Sequence, residues 1–122
     1  MTVQNRSELG KKGEELAKEF YQKNQFSIRD TNWRLGHLEV DIIAENSDCI
    51  VFCEVKTRSS TLLGAPEEFV TRQKQQHLIR AANYYLIFKN LKKEVRFDII
   101  TVVRNGENYS LHHIPEAFSP RW

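Results

Sequence analysis

Apolar positions recur along this chain in two rhythms, and each change of rhythm marks the border of an element. From about Ser7 to Asn24 the spacing is helical: Leu9, Gly13, Leu16, Ala17 and Phe20 fall on one stripe, with Lys11, Lys12, Lys18 and Glu19 mostly off it. Asn5 with Glu8 forms a capping-box pattern there, and Ser7 is a rival N-cap. Glu14 lies at the border of the stripe. Phe26 to Trp33 reads as a first strand, His37 to Glu45 as a second and Cys49 to Thr57 as a third, with Asn46-Ser47-Asp48 turning between the last two. A loop rich in Ser, Thr and Gly, Arg58 to Pro66, is expected to close over a ligand. Helical spacing returns from about Glu67 to Lys89, with Val70, Leu78, Ala81, Ala82 and Tyr85 facing inward. Val95 to Val103 is strongly β-prone, Asn105-Gly106 is a hairpin turn, and Tyr109 to Ile114 pairs back. The order αβββαββ predicts an α/β fold, a mixed central sheet flanked by a helix on each face. The strand after the second helix is expected to join in parallel through a right-handed crossover.

Two strands break the apolar rule in the same way. One reads Leu38-Glu39-Val40-Asp41-Ile42-Ile43-Ala44, the other Ile50-Val51-Phe52-Cys53-Glu54-Val55-Lys56. Residues two apart in a strand share a face, so Glu39 is expected beside Asp41 and Glu54 beside Lys56. Charges in such strands are partly buried and need partners, and clustered carboxylates suit a divalent metal. Asp41 and Glu54, on adjacent strands, can meet across about 5 Å, and the backbone carbonyl of Val55 is an expected further ligand. Lys56 is placed to orient or deprotonate an attacking water and to stabilise developing negative charge. Together these residues predict a phosphodiester-cutting site using Mg²⁺ or Mn²⁺. Taken singly, a Glu-x-Lys in a strand is usually a solvated ion pair and a lone Asp a backbone acceptor. The joint pattern carries the reading.

Composition changes little. The chain has 122 residues, the length of one domain spanning 1–122, and is 40% hydrophobic and 28% charged. No apolar run reaches the ~20 residues that cross a bilayer, and the amino terminus lacks the apolar segment of a secretory signal, so a cytoplasmic location without membrane contact is expected. Cys49 and Cys53 in one strand would be about 13 Å apart, too far for a disulfide. The net charge of +2 leaves any nucleic-acid contact to local patches. Arg29, Arg34, Lys56, Arg58, Arg72 and Lys74 lie near the charged strands in sequence, and of these Arg34, Arg58 and Lys74 are the expected DNA contacts.

The run Gly36-His37-Leu38-Glu39-Val40-Asp41-Ile42-Ile43-Ala44, followed by Val51-Phe52-Cys53-Glu54-Val55-Lys56-Thr57-Arg58, resembles the PD-(D/E)xK nuclease superfamily. Within it the chain is similar to the bacterial YraN-like family, related to archaeal Holliday-junction resolvases. Gly10-Lys11-Lys12-Gly13-Glu14-Glu15-Leu16-Ala17 resembles that family's opening helix. Asn32-Trp33-Arg34, Gly64-Ala65-Pro66, Lys74, Ala81-Ala82 with Tyr85, and Arg96-Phe97-Asp98 match later landmarks, so the likeness covers most of 8–103. It implies a restriction-endonuclease-like core that hydrolyses DNA, branched or otherwise structured. It also implies Asp41 and Glu54 as metal carboxylates, Lys56 as the catalytic lysine, Glu14 as the residue completing the site, and Glu39 as an accessory acid. The family often carries Gly directly before that acid, where Leu38 stands here.

Other groups read more plainly. His112 and His113 must face opposite ways in a strand, His37 reads as a surface residue, and His77 as one at the core border. Trp33, Phe52, Phe69 and Tyr85 could stack on bases, but aromatics at such spacing are more often core. Two rival functions stand beside the nuclease: a DNA-binding protein of the same fold with little or no cleavage, and a structural or protein-interaction domain whose charged strands form a salt-bridge network. Cutting a four-way junction needs two symmetrical incisions, which implies a homodimer.

Overall fold

The computed structural model describes residues 2–59 and 70–120, with side chains from residue 8 onward. Helix α1 (Thr2–Lys23) leads into strands β1 (Ser27–Leu35), β2 (Leu38–Glu45) and β3 (Cys49–Ser59). Helix α2 (Arg72–Lys89) then crosses to β4 (Glu94–Asn105), and β5 (Asn108–Phe118) ends the described chain. The strands lie in one five-stranded sheet in sequence order. Every neighbouring pair is antiparallel except β3 and β4, which run parallel as the α2 crossover requires.

Each helix covers one face. Ala17 and Tyr21 of α1 pack with Ile42, Ala44, Val51, Cys53, Ile100 and Val102. On the other face Leu78, Ala81, Ala82 and Tyr85 of α2 pack with Leu38, Val40, Ile43, Ile50, Phe52 and Phe97. Burial of large apolar side chains on both sides, at about 1.5–3 kcal/mol each, stabilises the three layers. Phe52 and Tyr85 are wholly buried and Trp33 packs against them, so the core reading of these aromatics holds; Phe69 lies outside the described residues.

Several borders differ from expectation. Asn5 and Ser7 lie inside α1 rather than capping it, since the helix runs from Thr2. The second helix begins at Arg72, not Glu67: Thr71 is extended and its side chain accepts the Lys74 N–H, the geometry of an N-cap. Arg58 and Ser59, expected in a loop, continue β3 alongside β4 up to Arg104; 60–66 lie outside the described residues. The turn between β4 and β5 is Gly106-Glu107, one residue later than expected, with Gly106 taking the positive φ that a tight hairpin needs. Among the described residues no helix is long and apolar enough to cross a membrane.

Candidate functional site

The sheet forks at the charged positions. Strands β2 and β3 pair from Glu45 opposite Ile50 as far as Ile42 opposite Cys53, and the described ladder stops there. Asp41 and Glu54 are the next residue on each strand. With the partner strand gone, the backbone N–H of Val55 donates instead to Asp41 Oδ2, at 2.8 Å. A residue's N–H and C=O leave a strand on the same side, so the Val55 carbonyl also points toward the fork.

The fork coincides with irregular backbone. Val40 and Ile43 join the α2-side core, whereas Ile42 and Ala44 join the α1-side core, so strict alternation fails at Asp41. Opposite it, between the pairs Thr31–Ile42 and Trp33–Val40, stands Asn32 with φ 50°. Asn tolerates this left-handed conformation better than most residues because its short amide can hydrogen-bond locally. Its Nδ2 donates to Glu14 Oε1 at 3.0 Å, which fixes the acid of α1 against the sheet.

Gly13 permits that approach. A Cβ there would overlap the Thr57 side chain of β3, so only glycine lets α1 lie this close. Glu14, Val55, Lys56, Thr57 and Arg58 consequently line one cleft of about 290 Å³.

Glu54 is buried, and its Oε2 meets two ammonium groups, Lys56 Nζ at 3.6 Å and Lys74 Nζ at 3.3 Å. Asp41 has no ion pair among the described residues. Burial first, then the charge of Glu54, push its carboxyl up; the Val55 N–H pulls it partly back, and Glu14 and Glu39 add to the rise, to about 7.

The structure thus brings together Asp41, Glu54, Val55, Lys56 and Glu14, with Lys74 on Glu54 and Arg58 on the cleft wall. Glu39 is half-exposed and paired with Arg34 at 3.2 Å, and its charge still reaches Asp41. Arg29, by contrast, is structural: it binds Glu45 at 2.6 Å and the Tyr85 hydroxyl at 3.1 Å. Among the described residues no group of three or more His, Cys, Asp or Glu side chains is close enough to hold a metal ion by itself. The oxygens nearest the fork are those of two carboxylates and a strand carbonyl, and one or two carboxylates completed by water and phosphate are the kind of set Mg²⁺ takes.

The roles of two residues escaped the sequence reading, although both lie in motifs it quotes. Asn32 and Gly13 carry no charge, and only an Asn inside a strand and a Gly inside a helix hinted at them. A second polar centre was also missed. Asp98, wholly buried on β4, accepts from Tyr21 Oη at 2.7 Å, Arg96 Nε at 2.9 Å, Arg96 Nη2 at 2.8 Å and the Glu116 N–H at 3.1 Å, and lies 2.8 Å from His113 Nε2. Burial pushes its carboxyl up, but the bonds from His113, Arg96 and Tyr21 outweigh this and hold it below the usual range. This centre ties α1 to β4 and β5. His112, as expected, faces the other way and is exposed.

A family model described as uncharacterised protein family UPF0102 matches residues 13–102. The chain belongs to this UPF0102 family. It is 45% identical over 112 residues to the UPF0102 protein FP2501 of Flavobacterium psychrophilum, covering 92% of this chain and 94% of that one. A UPF0102 protein of Bacteroides thetaiotaomicron is 45% identical over 114 residues, 93% of this chain and 94% of its own. One from Parabacteroides distasonis is 36% identical over 112 residues, 92% and 93% of the two chains. The matched UPF0102 segment contains Gly13, Glu14, Asn32, Asp41, Glu54, Lys56 and Lys74, the whole of the fork.

Proposed function

We propose that this UPF0102 protein is a metal-dependent endonuclease that hydrolyses phosphodiester bonds in DNA, branched or otherwise structured. The observation that carries the reading is the fork: two acids and a strand carbonyl gathered where the sheet opens, with a lysine on the same strand as one acid. A mixed sheet with α1 on one face and α2 on the other supports a restriction-endonuclease-like core.

Asp41, Glu54 and the Val55 carbonyl would hold Mg²⁺ or Mn²⁺, with Glu14 reaching it through water from the far side of the cleft. When bound, the ion acidifies a water and neutralises charge on the phosphate. Asp41, whose ionisation burial and acidic neighbours oppose, would gain most from the cation and so supply affinity. Val55 N–H fixes which oxygen of Asp41 remains for the ligand. Lys56 Nζ, half-buried on the Glu54 face, donates to the phosphate oxygens as negative charge develops. Arg58 on the cleft wall and Arg34 at the sheet margin take flanking phosphates. The exposed pair of Arg34 with Glu39 is weak and yields to a phosphate. Branched DNA from repair or recombination would present two strands, and a homodimer would cut both.

Incubating labelled branched, single-stranded and duplex DNA with Mn²⁺ tests this, using wild type and Lys56→Ala. Cleavage by wild type, reduced about 10²-fold or more in the variant, is the expected result. Equal cleavage by both would mean a contaminant and overturn the reading. A second reading is a DNA-binding protein of the same fold with little cleavage, favoured by the lack of a preassembled three-acid group among the described residues. Tight binding of branched DNA with no product in Mn²⁺ would select it.

A further inference from the structure

One oxygen of Glu54 carries more positive charge than a catalytic lysine explains. Lys74 Nζ stands 3.3 Å from Oε2, nearer than Lys56 Nζ at 3.6 Å. The two lysines differ in origin. Lys56 belongs to the same strand as Glu54 and its side chain is 19% exposed, whereas Lys74 descends from the first turn of α2 and is 42% exposed. The backbone of Lys74 is fixed, because its N–H is the one that Thr71 Oγ1 accepts at 3.1 Å. Its long side chain is therefore the part free to withdraw into solvent.

A buried carboxylate needs a counter-charge or a proton, and beside Glu54 the counter-charge is already in place. A divalent cation and an ammonium cannot both sit on one oxygen without strong repulsion. We infer that Lys74 is a charge placeholder: it neutralises Glu54 until the cation arrives, then leaves and places its ammonium on a phosphate of the bound DNA. This rests on the metal-site reading above and adds its regulation. Cation and DNA each favour the same displacement of Lys74, so each tightens binding of the other, by an amount that linkage makes reciprocal.

The test begins without DNA. Mn²⁺ binding is read from the electron paramagnetic resonance of the free ion, for the full chain as wild type, Lys74→Met, Lys74→Gln and Arg72→Met. Arg72 is exposed, lies on the same helical turn and has no ion pair with Glu54, so Arg72→Met removes the same charge without the contact. Both Lys74 variants should bind Mn²⁺ about fivefold to tenfold tighter than wild type, the size of a half-exposed ion pair, while Arg72→Met stays within about twofold. Equal or weaker binding by the Lys74 variants overturns the placeholder and leaves the metal site standing. No Mn²⁺ bound by any of the proteins overturns the metal site, and the placeholder falls with it.

The second arm measures affinity for a short DNA duplex, in Ca²⁺ so that DNA is not consumed, and in EDTA. Lys74→Met should lose about tenfold in Ca²⁺ and little in EDTA, where the lysine is still occupied with Glu54. Equal loss under both conditions would make Lys74 an ordinary phosphate contact and overturn the inference.

Discussion

Val55 donates its backbone N–H to Asp41 Oδ2 at 2.8 Å, one step beyond the last pair of the β2–β3 ladder. A strand amide that has lost its ladder partner must find another acceptor, and here the acceptor is the acid itself. The bond holds Asp41 in the fork although its burial and its acidic neighbours oppose ionisation.

That opposition predicts a pH dependence of stability. The Asp41 carboxyl stands at about 7 in the folded chain, against 3.8 ordinarily. A raised carboxyl contributes stability that is complete below the ordinary value and is lost as pH rises through the folded one. In EDTA, wild type should therefore weaken between about pH 4 and pH 8. The fall should reach a few kcal/mol, at about 1.4 kcal/mol for each pH unit separating the folded value from the ordinary one. Asp41→Asn keeps an acceptor for Val55 and should not share that fall, so it overtakes wild type in urea midpoint near about pH 8. Parallel curves for the two proteins would show that Asp41 is not strained by charge. Mn²⁺ should raise the melting temperature of wild type and leave the variant unmoved.

Asp98 predicts the opposite slope. Its carboxyl is held below the ordinary value, so its contribution is present above that value and lost as pH falls through the folded one. Wild type should lose stability in the acid limb, and Asp98→Asn should flatten that limb. Asp98→Ala removes the acceptor shared by Tyr21, Arg96, His113 and the Glu116 amide, and should cost about 3–5 kcal/mol in urea denaturation. A cost below about 1 kcal/mol would mean that α1 is not tied to the sheet through this residue.

Gly13 offers a test of how the helix reaches the cleft. Gly13→Ala places a Cβ against Thr57 and should destabilise by about 1–3 kcal/mol, despite the better helix propensity of alanine. Thr57→Ala in the same chain should recover most of that loss. Additive costs in the double variant, measured by thermal melting, would show that the contact is not the cause.

How much of this was legible in sequence depends on which forces set each feature. Element order followed from hydrophobic rhythm, because burial on both faces leaves strands and helices distinct periods. The parallel step from β3 to β4 followed from the intervening helix. Asp41, Glu54 and Lys56 stood out because charge in an apolar run is costly and therefore informative. The helix start at Arg72 did not, because apolar spacing extends through Val70, which is buried without being helical. Glu39 was expected beside Asp41 by strict alternation. Alternation fails at Asp41, and Glu39 pairs with Arg34 while its charge still acts on Asp41. The Asp98 centre was not legible, although Asp98 stands in an apolar run as Asp41 does, because its partners Tyr21 and His113 are distant in sequence.

Asn32 separates backbone from side chain in one position. It takes a left-handed φ of 50° opposite Asp41, and its amide holds Glu14. Asn32→Ala should suffer twice, through about 1 kcal/mol of backbone strain and through release of Glu14. Asn32→Gly accepts the left-handed conformation and should restore the melting temperature to near wild type. It cannot restore the hydrogen bond to Glu14, so Mn²⁺ affinity in the Gly variant should stay about tenfold or more below wild type, as for loss of a residue that orients a metal ligand. If Gly rescues metal binding along with stability, Asn32 acts only through its backbone conformation, and Glu14 finds its place without help.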